Sequence, residues 1–291
     1  MTAIVVMAAT FTLAGLVPGQ GIRAASAADL ALSSQPPRRV VSMNLCTDQL
    51  AMMLAAPGQL LSVSYLSFDP RGSAMAGEAQ KYVPNHGLAE EIYLLDPDLV
   101  IAGRFSTRAT VSMLRRLGLP VVVMDPAYSL SEVRDRITEM GEVLHRQDAA
   151  TEMAAQYDRD LATLAARAPE VHPLAALYYA NGYTSGDRTL AGQILSTAGF
   201  RNAAVEAGLP MGGIFPLEML AMSDPDALIT GRRYPGASRS EEILDHPVVQ
   251  ALASNRMQGS VTDRDWICGS PHVLRAIAGL VALHDVPEDS Q

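Results

Sequence analysis

The chain has 291 residues, 48% of them hydrophobic and 18% charged, with a net charge of −9 and a pI near 5.1. That composition excludes a disordered chain, and the acidic balance argues against nucleic acid and anionic membranes as partners, because phosphate binding needs clustered cations. The length is enough for two lobes, each with a core.

Ile4 to Val17 is an uncharged apolar run, too short to span a bilayer, followed by the small-residue stretch Ala24-Ala25-Ser26-Ala27-Ala28. Residues 1–28 read as a signal peptide cleaved near Ala27 or Ala28, although no Lys or Arg precedes the run. The mature chain is therefore expected to be soluble and periplasmic. Arg39 to Met43 reads as a first strand, and the helix after it, capped by Thr47 or Asp48, stops at Pro57-Gly58. Leu60 to Tyr65 is a second strand, and Ser67 to Gly87 a long polar loop. Pro120 to Met124 is a further strand after a helix ending at Gly118. Strands that alternate with helices predict a largely parallel α/β sheet.

Residues 131–168 differ. Val133, Ile137, Met140 and Leu144 recur at helical spacing, Gln147-Asp148 interrupts the pattern, and Met153, Tyr157, Leu161 and Leu164 resume it. A long connecting helix is the natural expectation. A strand then restarts at Ala175 to Tyr179, with a Gly-rich loop at 181–186 and a helix from about Thr189. His246-Pro247 opens another helix, 259–261 is a short strand, 265–272 a loop and 273–284 the last helix. The expected organisation is an N-terminal lobe over 29–128, a connecting helical segment over 129–170 and a C-terminal lobe over 171–291.

One phrase occurs twice. Residues 90–104, Glu-Glu-Ile-Tyr-Leu-Leu-Asp-Pro-Asp-Leu-Val-Ile-Ala-Gly-Arg, recur as residues 218–232, Glu-Met-Leu-Ala-Met-Ser-Asp-Pro-Asp-Ala-Leu-Ile-Thr-Gly-Arg. Each copy reads as a helix, a turn, a buried strand and a Gly-Arg loop. Two copies are too few for a solenoid and predict two similar lobes with a ligand cleft between them.

With an export signal, two similar lobes and a helix between them, the chain resembles the periplasmic substrate-binding proteins of metal-chelate ABC importers, which bind cobalamin, ferric siderophores or haem. Residues 95–101, Tyr183-Thr184-Ser185-Gly186, Gly199-Phe200-Arg201-Asn202, Asp265-Trp266 and Ser270-Pro271 look most like the cobalamin-binding branch. The resemblance implies a non-enzymatic, monomeric receptor without a cofactor, delivering a corrinoid or ferric siderophore to an inner-membrane permease dimer. It also implies permease docking through one exposed glutamate per lobe, here Glu90 and Glu218, with Glu91 in reserve. A carboxylate near a helix N-terminus is rigidly placed for an arginine pocket.

Loops beyond the carboxyl ends of parallel strands carry ligands in open α/β sheets. Those loops offer Asn44, Leu45, Cys46, Tyr65, Tyr82, His86 and Arg104 from the first lobe. The second offers Tyr183, Arg232 (with Arg233 and Tyr234 beside it), Asp265 and Trp266, the single tryptophan. Trp266 is expected either to face the ligand or to pack in its lobe, and His86 is open as an axial ligand to a chelated metal. The six histidines show no i, i+4 metal spacing, so a bare-ion site is a weaker alternative. Aromatic content of 5% argues against haem. An exported hydrolase is weaker again, with no Gly-x-Ser-x-Gly elbow present. Cys46 and Cys268 fall in loops of opposite lobes, and three states stay open: a bridge, free packed thiols, or ligand contact.

Overall fold

The computed structural model describes residues 35–232, 236, 238–261 and 263–285. The expected signal peptide, Arg233 and Tyr234 lie outside the described residues. The first lobe runs β1 (Val40–Ser42), α1 (Leu45–Leu54), β2 (Leu60–Ser64), α2 (Ala76–Ala79), β3 (Val83–Asn85), α3 (Ala89–Leu94), β4 (Leu99–Gly103), α4 (Arg108–Arg116) and β5 (Val121–Met124). Its sheet is parallel throughout, in the order β3-β2-β1-β4-β5. The central strands are apolar because helices cover both faces. Two expectations need correction. The α1 cap is Asn44, whose Oδ1 accepts from the Cys46 N–H, whereas Thr47 and Asp48 lie inside the helix and are buried. The polar loop 67–87 holds α2 and the edge strand β3, whose Val-Pro-Asn sequence has two exposed residues and no apolar run to announce it.

Next come α5 (Leu130–Val143) and α6 (Gln147–Ala165). The connecting segment is therefore an antiparallel helix pair, turning at His145 in the left-handed region (φ 55). Two pairs well away from the turn fix the direction: the Tyr157 hydroxyl donates to the Leu130 carbonyl at 3.0 Å, and Arg134 pairs with Asp158 at 2.9 Å. Close approach is possible because residue 141 is glycine. A Cβ there would lie 2.2 Å from the Ala150 Cβ. The 19 residues of α6 span about 28 Å and carry the chain into the second lobe.

That lobe comprises β6 (Leu174–Tyr178), β7 (Tyr183–Thr184), α7 (Leu190–Thr197), β8 (Arg201–Asn202), α8 (Ala203–Glu206), β9 (Gly213–Ile214), α9 (Leu217–Ser223), β10 (Ala227–Gly231), α10 (Pro247–Asn255), β11 (Met257–Val261), α11 (Asp263–Trp266) and α12 (Val273–Val281). A parallel sheet in the order β11-β10-β6-β8 forms its centre, with a short antiparallel β7-β9 ladder beside it. The loop expected at 265–272 begins within the single-turn α11.

The repeated phrase has a structural cause. Asp96 (φ 48) and Asp224 (φ 43) each turn the chain out of a helix in the left-handed region. Two residues on, Asp98 accepts the Arg38 and Arg39 N–H groups just before β1, and Asp226 accepts the Leu174 N–H at the start of β6, at 2.7 Å. Each carboxylate thus ties its own strand to the first strand of its lobe. Ile92 and Leu220, also 128 residues apart, are fully buried beneath α3 and α9.

The lobes share a core. One apolar cluster takes residues from α1, α5, α6, α7 and α12 and from the strands of both sheets, while each sheet has a separate small cluster of its own. A single helical layer therefore backs both lobes. Gly141→Ala is expected to cost about 1–3 kcal/mol despite alanine's better helix propensity, because the new methyl overlaps Ala150. Denaturant unfolding of the variant and the parent measures it.

Candidate functional site: the cleft between the lobes

The carboxyl ends of the first-lobe strands form a rim. In sheet order His86 follows β3, Tyr65 β2, Asn44 β1, Arg104 β4 and Asp125 β5. Asn44 is pressed against the chain at Gly103, where a Cβ would lie 2.7 Å from its side-chain carbon. The second lobe brings Tyr183 after β6, Arg232 after β10 and residues 263–270 after β11.

Residues 267–270 cross to the first lobe. Cys268 is bonded to Cys46 of α1, with the two Cα atoms 5.0 Å apart. The buried Ser270 hydroxyl donates to Gln49 Oε1 of α1 at 2.9 Å, and Gly269 sits on Ala127, with room for no side chain. Of the three cysteine states left open, the structure has the bridge. Beside it lies a cavity of about 290 Å³, lined by Asn44, Cys46, Arg104, Phe105, Met124 and Pro126 of one lobe and Ile267 and Gly269 of the other. Most of that lining is apolar, and Phe105 and Ile267 remain 77% and 57% exposed. A separate groove of about 520 Å³ shares Gly103 and Arg104 with the cavity and is lined also by Arg108, Arg115 and Arg116. Arg104 is paired with Asp125 at 2.8 Å.

The candidate residues thus divide. Asn44, Cys46 and Arg104 line the cavity. Tyr65 and His86 stack on each other, centroids 5.1 Å apart, at the other end of the rim. Tyr65 is placed from beneath: buried Asp48 accepts from the Ser64 N–H, the Ser64 hydroxyl and the Ser67 hydroxyl, fixing the turn that carries it. His86 is held by Glu91, which accepts from its backbone N–H and pairs with its Nδ1, both at 2.8 Å. Those bonds hold the Glu91 carboxyl below its usual range. Glu91 is thereby tied to His86 at the rim. Leu45 and Tyr82 are half-buried, Tyr82 against the shared core.

On the other lobe, Tyr183 and Arg232 are exposed. Asp265 pairs with Arg275 at 2.9 Å. Trp266 packs in its own lobe, its ring 5.1 Å from Tyr179 and its Nε1 donating to Asp263 at 3.3 Å. The sequence expectations missed Phe105, Met124 and Ile267. The one signal for Phe105 and Ile267 was a large apolar residue in a loop directly after a strand or turn.

His272 ends the crossing loop. Burial, reinforced by neighbouring Arg275 and opposed by Asp265, lowers it to about 4. In the unfolded chain it titrates near 6.5, so between those values the unfolded state binds more protons. Its stabilising contribution is complete above about pH 6.5 and is lost as pH falls toward 4. His272→Gln is expected to flatten that segment of the stability profile, and the difference between variant and parent, measured by denaturation at pH 7.5 and 4.5, isolates it from the carboxylates.

Comparison with known proteins gives a consistent picture. The family model described as "Periplasmic binding protein" matches residues 40–257. A cobalamin-binding protein of Halobacterium salinarum is 27% identical over 217 residues, 71% of this chain and 57% of that one, so the chain spans just over half the length of the curated relatives it matches. The apo haem-binding protein RhuT of Roseiflexus sp. RS-1 superposes with a TM-score of 0.70 at 22% identity, over 85% of this chain and 98% of that one. The vitamin B12-binding protein BtuF of Vibrio cholerae gives 0.63 at 18%, over 86% and 97%. The Fe3+-hydroxamate transport system structure from Saccharomonospora viridis gives 0.65 at 20%, over 87% and 95%. At these identities the structural matches establish the shared fold. Among the described residues no helix is long and apolar enough to cross a membrane.

Proposed function

The chain belongs to the periplasmic binding protein family, and from that premise we propose that it captures a metal chelate, a corrinoid or a ferric siderophore, and delivers it to the permease dimer of an ABC importer. The observation that carries this reading is the cavity between the lobes, apolar inside and bordered at Gly103 and Arg104 by an arginine-lined groove, on a chain of net charge −9. Such a lining suits a bulky ligand with an apolar body and anionic arms. A bare ion needs several converging donors. Among the described residues no group of three His, Cys, Asp or Glu could hold one. Haem is the second reading, favoured by one observation: Glu91 fixes His86 through Nδ1, which leaves Nε2 as the ligating nitrogen, as metal-bound histidines are commonly oriented.

Calorimetric titration with cyanocobalamin, a ferric hydroxamate, haem and free divalent ions tests the proposal. One of the first two is expected to bind, and binding of free ions alone would sink it. Phe105→Ala and Ile267→Ala are each expected to weaken chelate binding by roughly five- to 150-fold, the loss of about 1–3 kcal/mol of apolar contact. Both side chains are exposed in the free protein, so the melting temperatures should hold.

Docking is proposed through α3 and α9. Glu90 and Glu218 are exposed near the N-termini of those helices, and four residues later Leu94 and Met222 stand 82% and 84% exposed on the same face. An acid followed by a bare apolar residue, twice at one offset, suits a partner with two equivalent sites. Glu90→Arg with Glu218→Arg is expected to abolish uptake in cells while chelate affinity of the purified protein stays unchanged. Normal uptake by that double variant removes the docking role.

A further inference from the structure

We infer that the Cys46–Cys268 bridge is a positioning element of the ligand cavity: it holds the 267–270 wall of the second lobe against α1 of the first before any ligand arrives. The inference rests on the cavity's being the ligand site, as proposed above. Three observations meet at this wall. The bridge joins residues 222 apart in sequence, from opposite lobes, and Cys268 is buried. Ile267 and Gly269, on either side of Cys268, both line the cavity, and so does Cys46. Among the described residues, a hydroxyl–amide hydrogen bond from Ser270 to Gln49 and the contact of Gly269 with Ala127 also join the segment to the first lobe.

The geometry limits what the lobes can do here. Their Cα atoms stand 5.0 Å apart, and a cystine spans at most about 6.8 Å without distortion. Separation at this point is therefore confined to about 2 Å, and the lobes can only pivot about the bridge. The Ser270–Gln49 hydrogen bond and the Gly269–Ala127 contact set no covalent limit of that kind, since a net hydrogen bond contributes only weakly. Ordering the wall in advance spares the ligand that entropic cost, which is how preorganisation raises affinity.

The test compares the parent, the parent reduced by dithiothreitol, and Cys46→Ala with Cys268→Ala. Reduction turns the cystine into two thiols as the dithiol closes to its cyclic disulfide, so the two routes break the same bond by different means. Hydrogen exchange without ligand is read first. Amides of 263–272 are expected to exchange at least tenfold faster in both broken forms, while those of α12 and β10 keep their protection. The affinity for whichever chelate binds the parent is then expected to fall at least tenfold, with β10 protection confirming a folded protein. Unchanged exchange over 263–272 overturns the inference, and so does acceleration spread evenly over the chain. Faster local exchange with full affinity overturns the cavity role. If no chelate binds the parent, the functional proposal fails by itself, and the exchange result still decides whether the bridge holds the wall.

Discussion

The cleft exists because one layer of helices serves two sheets. Helices α1, α5, α6, α7 and α12 bury side chains against both, so the carboxyl ends of the strands face each other at a separation set by packing. Magnitudes show which attachment dominates. Closing a loop of 222 residues by a disulfide stabilises by about 5 kcal/mol in the chain-entropy account. Each large side chain buried in the shared layer contributes about 1.5–3 kcal/mol, and Leu54, Ile137, Met140, Leu144, Tyr157 and Leu177 are all fully buried there. Packing therefore joins the lobes, and the bridge acts on a local feature, the placement of one loop.

The parts of this fold that were legible in the sequence are those whose cause is local. The Asp-Pro-Asp phrase announces two similar lobes because each of its aspartates has a backbone task, one leaving the helix and the other tying strand to strand. The helical spacing over 131–168 is legible because α5 and α6 each bury one face. The turn between them at His145 is less so, since it lies in the left-handed region where glycine or asparagine would have been the cue. Strand β3 was hidden because an edge strand of three residues needs no apolar run.

The candidate site was only partly legible, and the misses share a reason. Polar and aromatic loop residues attract notice, yet their partners are long-range and invisible in sequence. Trp266 finds Tyr179 and Asp263, Asp265 finds Arg275, and Glu91 finds His86. Each such pair fixes a side chain for structural reasons. The apolar residues left uncovered, Phe105 and Ile267, are the ones with contact area still to offer. The cysteine bridge was open for a similar reason: proximity across the cleft depends on how the helical layer sets the lobes, which no local pattern encodes.

A shared core also constrains how a partner could tell loaded from empty protein. A ligand shifts an equilibrium only by its differential affinity for two states, and here the second state is costly. Swinging the lobes apart would expose the layer that α1, α6, α7 and α12 bury in common. The helices that carry Glu90 and Glu218 are each pinned to their sheet by a buried residue, Ile92 or Leu220, and the two sheets are seated on one layer. A partner gripping those two acids would meet much the same geometry in either state. Discrimination then falls to the surface that ligand itself changes, the rim between them, where Tyr65 and His86 of one lobe and Tyr183 of the other stand exposed and where a chelate seated in the cleft would present its outer face.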